Sequence, residues 1–207
     1  MHARSTTVQA HQDSIDAGIA HLRDEVLPAL LDVEGCIGLS LLIDRESGRC
    51  IATSSWQSEE AMHAGEDRVR PIRERASESF GGARPQVDEW EIAVLHRDHP
   101  AHDGARVRVT WMRFRPGQAD RGIETYKTTA LPAAELLEGF CSASLLVDRE
   151  SSIAVSSVTY DSAETLQRSR ERAGSIRTSA AREADFEILE VGEFELALAH
   201  LRVPEMA

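Results

Sequence analysis

The sequence predicts an α+β chain of two tandem βαββαβ units, and three observations carry that prediction. The stretch from Glu34 to His96 aligns without a gap on Glu138 to His200, a constant offset of 104 positions (138 − 34 = 104), the mark of an internally duplicated domain. Each copy runs strand, helix, strand, strand, helix, strand. The helical segments carry apolar residues at three- and four-residue steps, whereas the strand segments alternate or are rich in β-favouring residues.

Residues 5–11 read as a short opening strand, and the second copy is clearer: Arg106 to Phe114 alternates and is rich in β-favouring residues. Ile15, Ile19, Leu22, Val26, Leu30 and Val33 then form one apolar helical stripe. Pro28 and its counterpart Pro132 are expected to kink or end that helix. A hairpin follows, with Cys36–Ile43 and Cys50–Trp56 joined by the polar turn Asp44-Arg45-Glu46-Ser47-Gly48-Arg49. Ser58 is placed as an N-cap, with Glu59 and Glu60 in the first turn and an apolar series Met62, Val69, Ile72 and Ala76; Ser162, Leu166, Ala173, Ile176 and Ala180 repeat it. Val87 to His96 closes the first unit.

This order is the ferredoxin-like split β-α-β topology. Helices cover one face of its antiparallel sheet, so the other face needs a cover, and a second copy of the sheet is the obvious one. The expected domains are 1–98 and 105–207, joined by a short polar linker over 99–104.

Composition excludes several classes. A formal charge of −12 opposes sequence-independent nucleic-acid binding, which needs clustered cations. Three cysteines, Cys36, Cys50 and Cys141, lack framework spacing and read as free thiols in a reducing compartment. No apolar run is long enough for a membrane span, and the amino terminus lacks a signal-peptide block, so a soluble, cytoplasmic protein without nucleic-acid or membrane partners is expected. No Gly-rich phosphate loop, nucleophile elbow or CxxC pair supports nucleotide, hydrolase or thiol-redox chemistry.

Two segments carry a family resemblance: Asp44-Arg45-Glu46-Ser47-Gly48 in the hairpin turn, and Trp56-Gln57-Ser58-Glu59-Glu60-Ala61-Met62-His63 at the following strand-to-helix junction. With the topology, they make the chain resemble the antibiotic biosynthesis monooxygenase superfamily in a tandem, single-chain form. The resemblance implies antiparallel sheets packed as an intramolecular dimeric α+β barrel, open to further homo-oligomerisation. It also implies a cofactor-independent monooxygenase acting on a small aromatic or polyketide-like molecule. The family's haem-degrading branch carries an Asn on the first strand and a haem-ligating His on the helix after the Trp. This chain has no Asn, and the positions nine to eleven beyond Trp56 are Gly65, Glu66 and Asp67, so no cofactor is expected.

Within that reading, the candidate catalytic residues are His63 as base, Trp56 and Glu91; Trp111, Tyr160 and Arg113 are the candidate substrate contacts. Histidine is the side-chain type suited to act as a base near neutral pH, and Trp56 and Tyr160 offer flat stacking surfaces. The last strand sets Trp90, Ile92 and Val94 on one face and Glu89, Glu91 and Ala93 on the other. If the first set packs on the helices, Glu91 and Glu195 face the sheet interior, there to pair with Arg108 or Arg113 or to sit in a polar cavity. Trp56 and His63 become Tyr160 and Gln167 in the second copy, which favours a pocket in the first. His96, His99 and His102 fall at three-residue steps beside Asp98 and Asp103, but their linker setting argues against a metal site. The competing reading is a non-catalytic protein of this fold that binds a small ligand or serves a structural role.

Overall fold

The structure is a computed structural model that describes residues 1–81 and 84–201. Its first repeat contains β1 (His2–Gln9), α1 (Ile15–His21), α2 (Leu27–Leu31), β2 (Cys36–Ile43), β3 (Arg49–Trp56), α3 (Glu59–Ala64), α4 (Glu66–Ser79) and β4 (Gln86–Arg97). The second contains β5 (Arg106–Arg113), α5 (Ala119–Thr125), α6 (Leu131–Glu135), β6 (Phe140–Asp148), β7 (Ile153–Tyr160), α7 (Ala163–Arg168), α8 (Arg170–Ala184) and β8 (Glu187–Leu201). The eight strands hydrogen-bond in the closed order β1-β3-β2-β8-β5-β7-β6-β4. This is the α+β, ferredoxin-like barrel class that the repeat predicts.

Compactness divides the chain differently from the repeat. One compact unit holds Met1–Trp90 with the strand from Glu195, and the other holds Glu91–Phe194. The long strands β4 and β8 therefore pass from one unit into the other: Glu91 to Arg97 pairs with β6, and Glu195 onward pairs with β2. A register shift falls at each crossing, between Ile92 and Val94 against β6 and between Leu41 and Leu42 against β8. A bulge there breaks strict alternation, and Ile92, Ala93, Val94 and Leu95 are all buried, contrary to the two-faced pattern expected.

The prolines neither end nor break their helices. A π-helical stretch, Leu22–Val26, joins α1 to α2 just before Pro28, and Tyr126–Ala130 does the same before Pro132. The widened turn lies where proline lacks its N–H and would crowd the carbonyl four residues back. Ser58 caps α3 as expected, accepting from the Ala61 N–H at 3.1 Å, and Ser162 forms a capping box with Thr165. The single helix expected after each cap is two, breaking at Gly65 and at Ser169.

The hairpin pairs Ile43 with Cys50, as the sequence predicts, and all three thiols are free. Its Asp-Arg-Glu-Ser turn is structural in both copies. Asp44 Oδ1 accepts from the Glu46 and Ser47 amides at 3.0 and 3.3 Å, and Asp148 does the same for Glu150 and Ser151 at 2.9 and 3.3 Å.

Each unit has an apolar core between its helices and its sheet. Leu22, Leu30, Leu41, Trp56, Met62 and Phe80 belong to the first, and Phe114, Leu131, Phe140, Leu145, Tyr160 and Leu166 to the second. The glycines Gly18 and Gly122, 104 residues apart (122 − 18 = 104), are each covered by an aromatic ring, Phe80 in one unit and Phe114 in the other, at distances that leave no room for a Cβ. Gly122→Ala is thus expected to destabilise the protein by about 1–3 kcal/mol through overpacking, despite the gain in helix propensity. A denaturation midpoint equal to or above the wild-type value would show that the ring yields freely.

Candidate functional site

In both units an arginine on the first strand is buried beneath the helices. Arg4 and Arg108 are only 4% and 3% exposed. A buried guanidinium needs a partner, and each finds one on the neighbouring long strand. Arg4 Nε and Nη2 lie 2.9 and 2.6 Å from Glu89 Oε1, and Arg108 Nε and Nη2 lie 3.1 and 2.9 Å from Glu193 Oε1. Glu89 also meets His63 of α3 at 2.8 Å, and Arg108 Nη2 donates to the α7 carbonyl of Leu166 at 2.7 Å. These glutamates therefore face the helices. Trp90, on the opposite face, donates to Ser5 at 2.9 Å, and Phe194 meets Trp111 edge-on. The face assignment expected from the sequence is reversed, because the need to neutralise the buried arginine outweighs the apolar pattern of the strand.

Beside each buried arginine lies a cavity between helices and sheet. The second unit's is about 60 Å³ within a cleft of about 700 Å³ counted out to solvent. Its polar lining is Arg108, Thr110, Tyr126, Ser156, Tyr160 and Arg177, set among apolar residues. The equivalent in the first unit is about 50 Å³ in a cleft of about 440 Å³. Repeat differences account for the larger volume, since Val26, Leu30 and Val69 line the first where Ala130, Ala134 and Ala173 line the second; Tyr126, in place of Leu22, adds a hydroxyl instead.

Two phenols stand at the second cavity. Tyr160 is 1% exposed, and its hydroxyl lies 3.3 Å from Arg108 Nη1, with the guanidinium 5.4 Å from the ring centre. Tyr126 opens the π-helical stretch; its hydroxyl donates to the Ser144 carbonyl at 3.2 Å and meets Ser156 Oγ at 3.0 Å. Burial pushes its pKa up to about 12, so it stays protonated and acts as a hydrogen-bond donor at neutral pH.

Of the candidate catalytic and substrate-contact residues named from the sequence, only Tyr160 lines this cavity. Trp56 is fully buried in the first unit's core with Nε1 bonded to Ser54 Oγ at 3.0 Å, and it does not line the first cavity. His63 is about half exposed and committed to Glu89, so it is not a base in a dry pocket. Glu91 pairs with Arg149 at 2.5 Å, and Arg149 also holds Asp120 at 2.8 Å; Arg45, Glu195 and Asp16 repeat this link at 2.8 and 2.9 Å. Neither glutamate pairs with Arg108 or Arg113, since the hairpin-turn arginines take both. Trp111 alternates with the cavity-facing Arg108, Thr110 and Met112 and lies on the other face, while Arg113 is exposed and pairs with Glu187 at 3.3 Å. Tyr126 and Arg177 escaped notice, although comparison of the copies marks both: Tyr126 replaces Leu22, and Arg177 keeps Arg73 but loses its partner's counterpart.

Among the described residues, one group of three has metal-ligand composition: His99, Cys141 and Asp161, with ligand atoms within 4.8 Å of one another. They already satisfy each other. His99 Nε2 meets Asp161 at 3.0 Å, Cys141 Sγ meets the same oxygen at 3.2 Å, and His99 Nδ1 meets Asp98 at 2.8 Å. Burial, with Asp161 adding to it, pushes the Cys141 thiol up to about 12, so a cation would have to displace a firmly held proton. His96 binds Glu135 instead, at 2.7 Å.

No family model matches the chain. Two Mycobacterium tuberculosis proteins resemble it along its whole length: uncharacterized protein Rv2557, 57% identical over 206 residues (100% of this chain, 92% of that protein), and uncharacterized protein Rv2558, 55% identical over 207 residues (100% and 87%). Among solved structures, one from Lactobacillus acidophilus NCFM superposes with TM-score 0.71 at 9% identity (97% of this chain, 96% of that one). An anthrone oxidase-like protein gives 0.66 at 11% (100% and 95%). A Listeria monocytogenes ferredoxin fold protein related to antibiotic biosynthesis monooxygenases gives 0.53 at 9% (95% and 95%). No helix among the described residues is long and apolar enough to cross a membrane.

His99 provides a check on the acid cluster. Asp98 and then Asp161 hold its pKa above the ordinary imidazole value of 6.5. A folded-state pKa raised above the unfolded one stabilises below the unfolded value and loses that effect as pH rises through the folded value. The gap in thermal midpoint between wild type and His99→Gln is expected to be wider at pH 6 than at pH 9; an equal gap at both would show that the ring is uncharged in the fold. By sequence the chain belongs to one family with Rv2557 and Rv2558 of M. tuberculosis, and its fold is that of the antibiotic biosynthesis monooxygenase-like α+β barrels.

Proposed function

We propose that the chain is a cofactor-independent monooxygenase of the anthrone-oxidising type, and that the second unit's helix–sheet cavity takes its small aromatic or polyketide-like substrate. The observation that carries this is the cavity itself: an apolar recess opened by Ala130, Ala134 and Ala173, with two phenols and a buried arginine at its polar end. That combination of apolar walls and a few convergent donors suits a flat, oxygen-bearing molecule. Its likeness in fold to an anthrone oxidase-like protein agrees with this reading.

The reaction would replace an activated CH₂ by a carbonyl, consuming one O₂ and releasing one H₂O. The substrate's enolate supplies the electrons, so the protein's task is to hold that anion dry and hydrogen-bonded. The Tyr160 hydroxyl, which accepts from Arg108, would donate its own proton to that anion, while the Tyr126 hydroxyl, already donating to the Ser144 carbonyl, would line the wall. Among the described residues no histidine or carboxylate lines the cavity, so in this reading the substrate loses its proton before or while it enters. The same absence of a base supports the second reading, a binding protein that performs no chemistry.

Oxygen uptake with a panel of anthrones and quinols tests the first reading. Wild type is expected to exceed the uncatalysed rate. Ala134→Leu, which restores the bulk found at Leu30, is expected to lower kcat/KM at least tenfold without a matching loss of thermal stability. Uptake indifferent to Ala134→Leu would remove the cavity from the reaction. No uptake, with a panel-induced rise in thermal midpoint that Ala134→Leu abolishes, would select the binding reading.

A further inference from the structure

The two cavities differ in charge balance, and one substitution between the copies accounts for it. In the first unit Glu66 opens α4 and lies 2.5 Å from Arg4 Nη1 and 2.7 Å from Arg73 Nη2. With Glu89 also on Arg4, two carboxylates meet the two arginines that line that cavity. The residue 104 positions beyond Glu66 is Arg170 (170 − 66 = 104). Instead of supplying a carboxylate, Arg170 takes a share of the one present: its Nη2 lies 2.9 Å from Glu193 Oε2, while Arg108 holds Oε1.

Arg177, the counterpart of Arg73, is left over. It lines the second cavity and makes no hydrogen bond or ion pair with any described residue. Burial and the nearby Arg108 pull its pKa below the ordinary guanidinium value, which is how a cation held in a partly dry, positive setting behaves. Three guanidinium groups thus share one carboxylate around an apolar recess. A desolvated positive surplus of this kind costs free energy until an anion enters.

We infer that the second unit's cavity binds an organic oxyanion on an apolar ring, carboxylate or phenolate, and that Arg177 is its counter-ion. This rests on the cavity being the ligand pocket, and it narrows the ligand class to molecules already ionised on entry. Arg177 supplies the charge complement, Tyr160 supplies a neutral donor, and Arg170 keeps Glu193 from neutralising Arg177.

The test is calorimetric titration of the full chain at neutral pH with benzoate and its uncharged analogue benzamide. Wild type is expected to bind benzoate at least tenfold more tightly than benzamide. Arg177→Gln should erase that preference, and so should Arg170→Glu, which restores the first copy's carboxylate at an exposed position. Arg172→Gln, on the exposed side of α8, should keep it. Retention of the preference in Arg177→Gln would overturn the role given to Arg177. Benzamide binding as tightly as benzoate in wild type would overturn the anion inference while leaving the pocket in place. Binding of neither at millimolar concentration would overturn both this inference and the pocket reading.

Discussion

A guanidinium buried under helices cannot be left alone, and much of each unit follows from that. Arg4 and Arg108 sit at the centre of the helix–sheet space, nearly sealed from solvent. Stripping water from such a charge costs several kcal/mol unless a carboxylate and further acceptors replace it. Glu89 and Glu193 supply the carboxylate, which turns their side of the long strands towards the helices. The Leu166 carbonyl and Ser169 hydroxyl add acceptors where α7 gives way to α8. Strand face, helix junction and cavity wall are fixed together by one charge.

Duplication makes the chain its own comparison. The pair of arginine and long-strand glutamate, the hairpin-turn arginine that bridges helix and strand, and the π-helical turn before proline occur in both copies. They are the parts that the fold requires of each. The differences cluster at the second cavity: three apolar side chains cut back to alanine, a leucine turned into a tyrosine, and a glutamate turned into an arginine. Each leaves the backbone path intact while changing what the recess can hold. One copy has a balanced, more filled interior, and the other an emptier one with surplus positive charge.

The sequence revealed more of the fold than of the site. The Ile43–Cys50 pairing and the Ser58 and Ser162 caps could be read directly because they depend on neighbours a few residues away. The residues singled out for chemistry are tied to partners the sequence does not mark: Glu89 holds His63, Ser54 fixes Trp56, and Arg149 claims Glu91. Tyr126 and Arg177 could have been found by asking which positions changed character between copies. A search for residues of known reactive type passes over a leucine replaced by tyrosine and an arginine that has merely lost its partner.

The sequence alone determined the duplication, the order of strands and helices and the positions of the turns, because these rest on local periodicity and on residues with special backbone needs. Only the tertiary structure decided that β4 and β8 each run through two compact units, which face their glutamates take, and which cavity-lining arginine has no ion-pair partner among the described residues. Those outcomes depend on burial. The free energy of a buried charge is set by groups tens of residues away in the chain, and no local pattern encodes it.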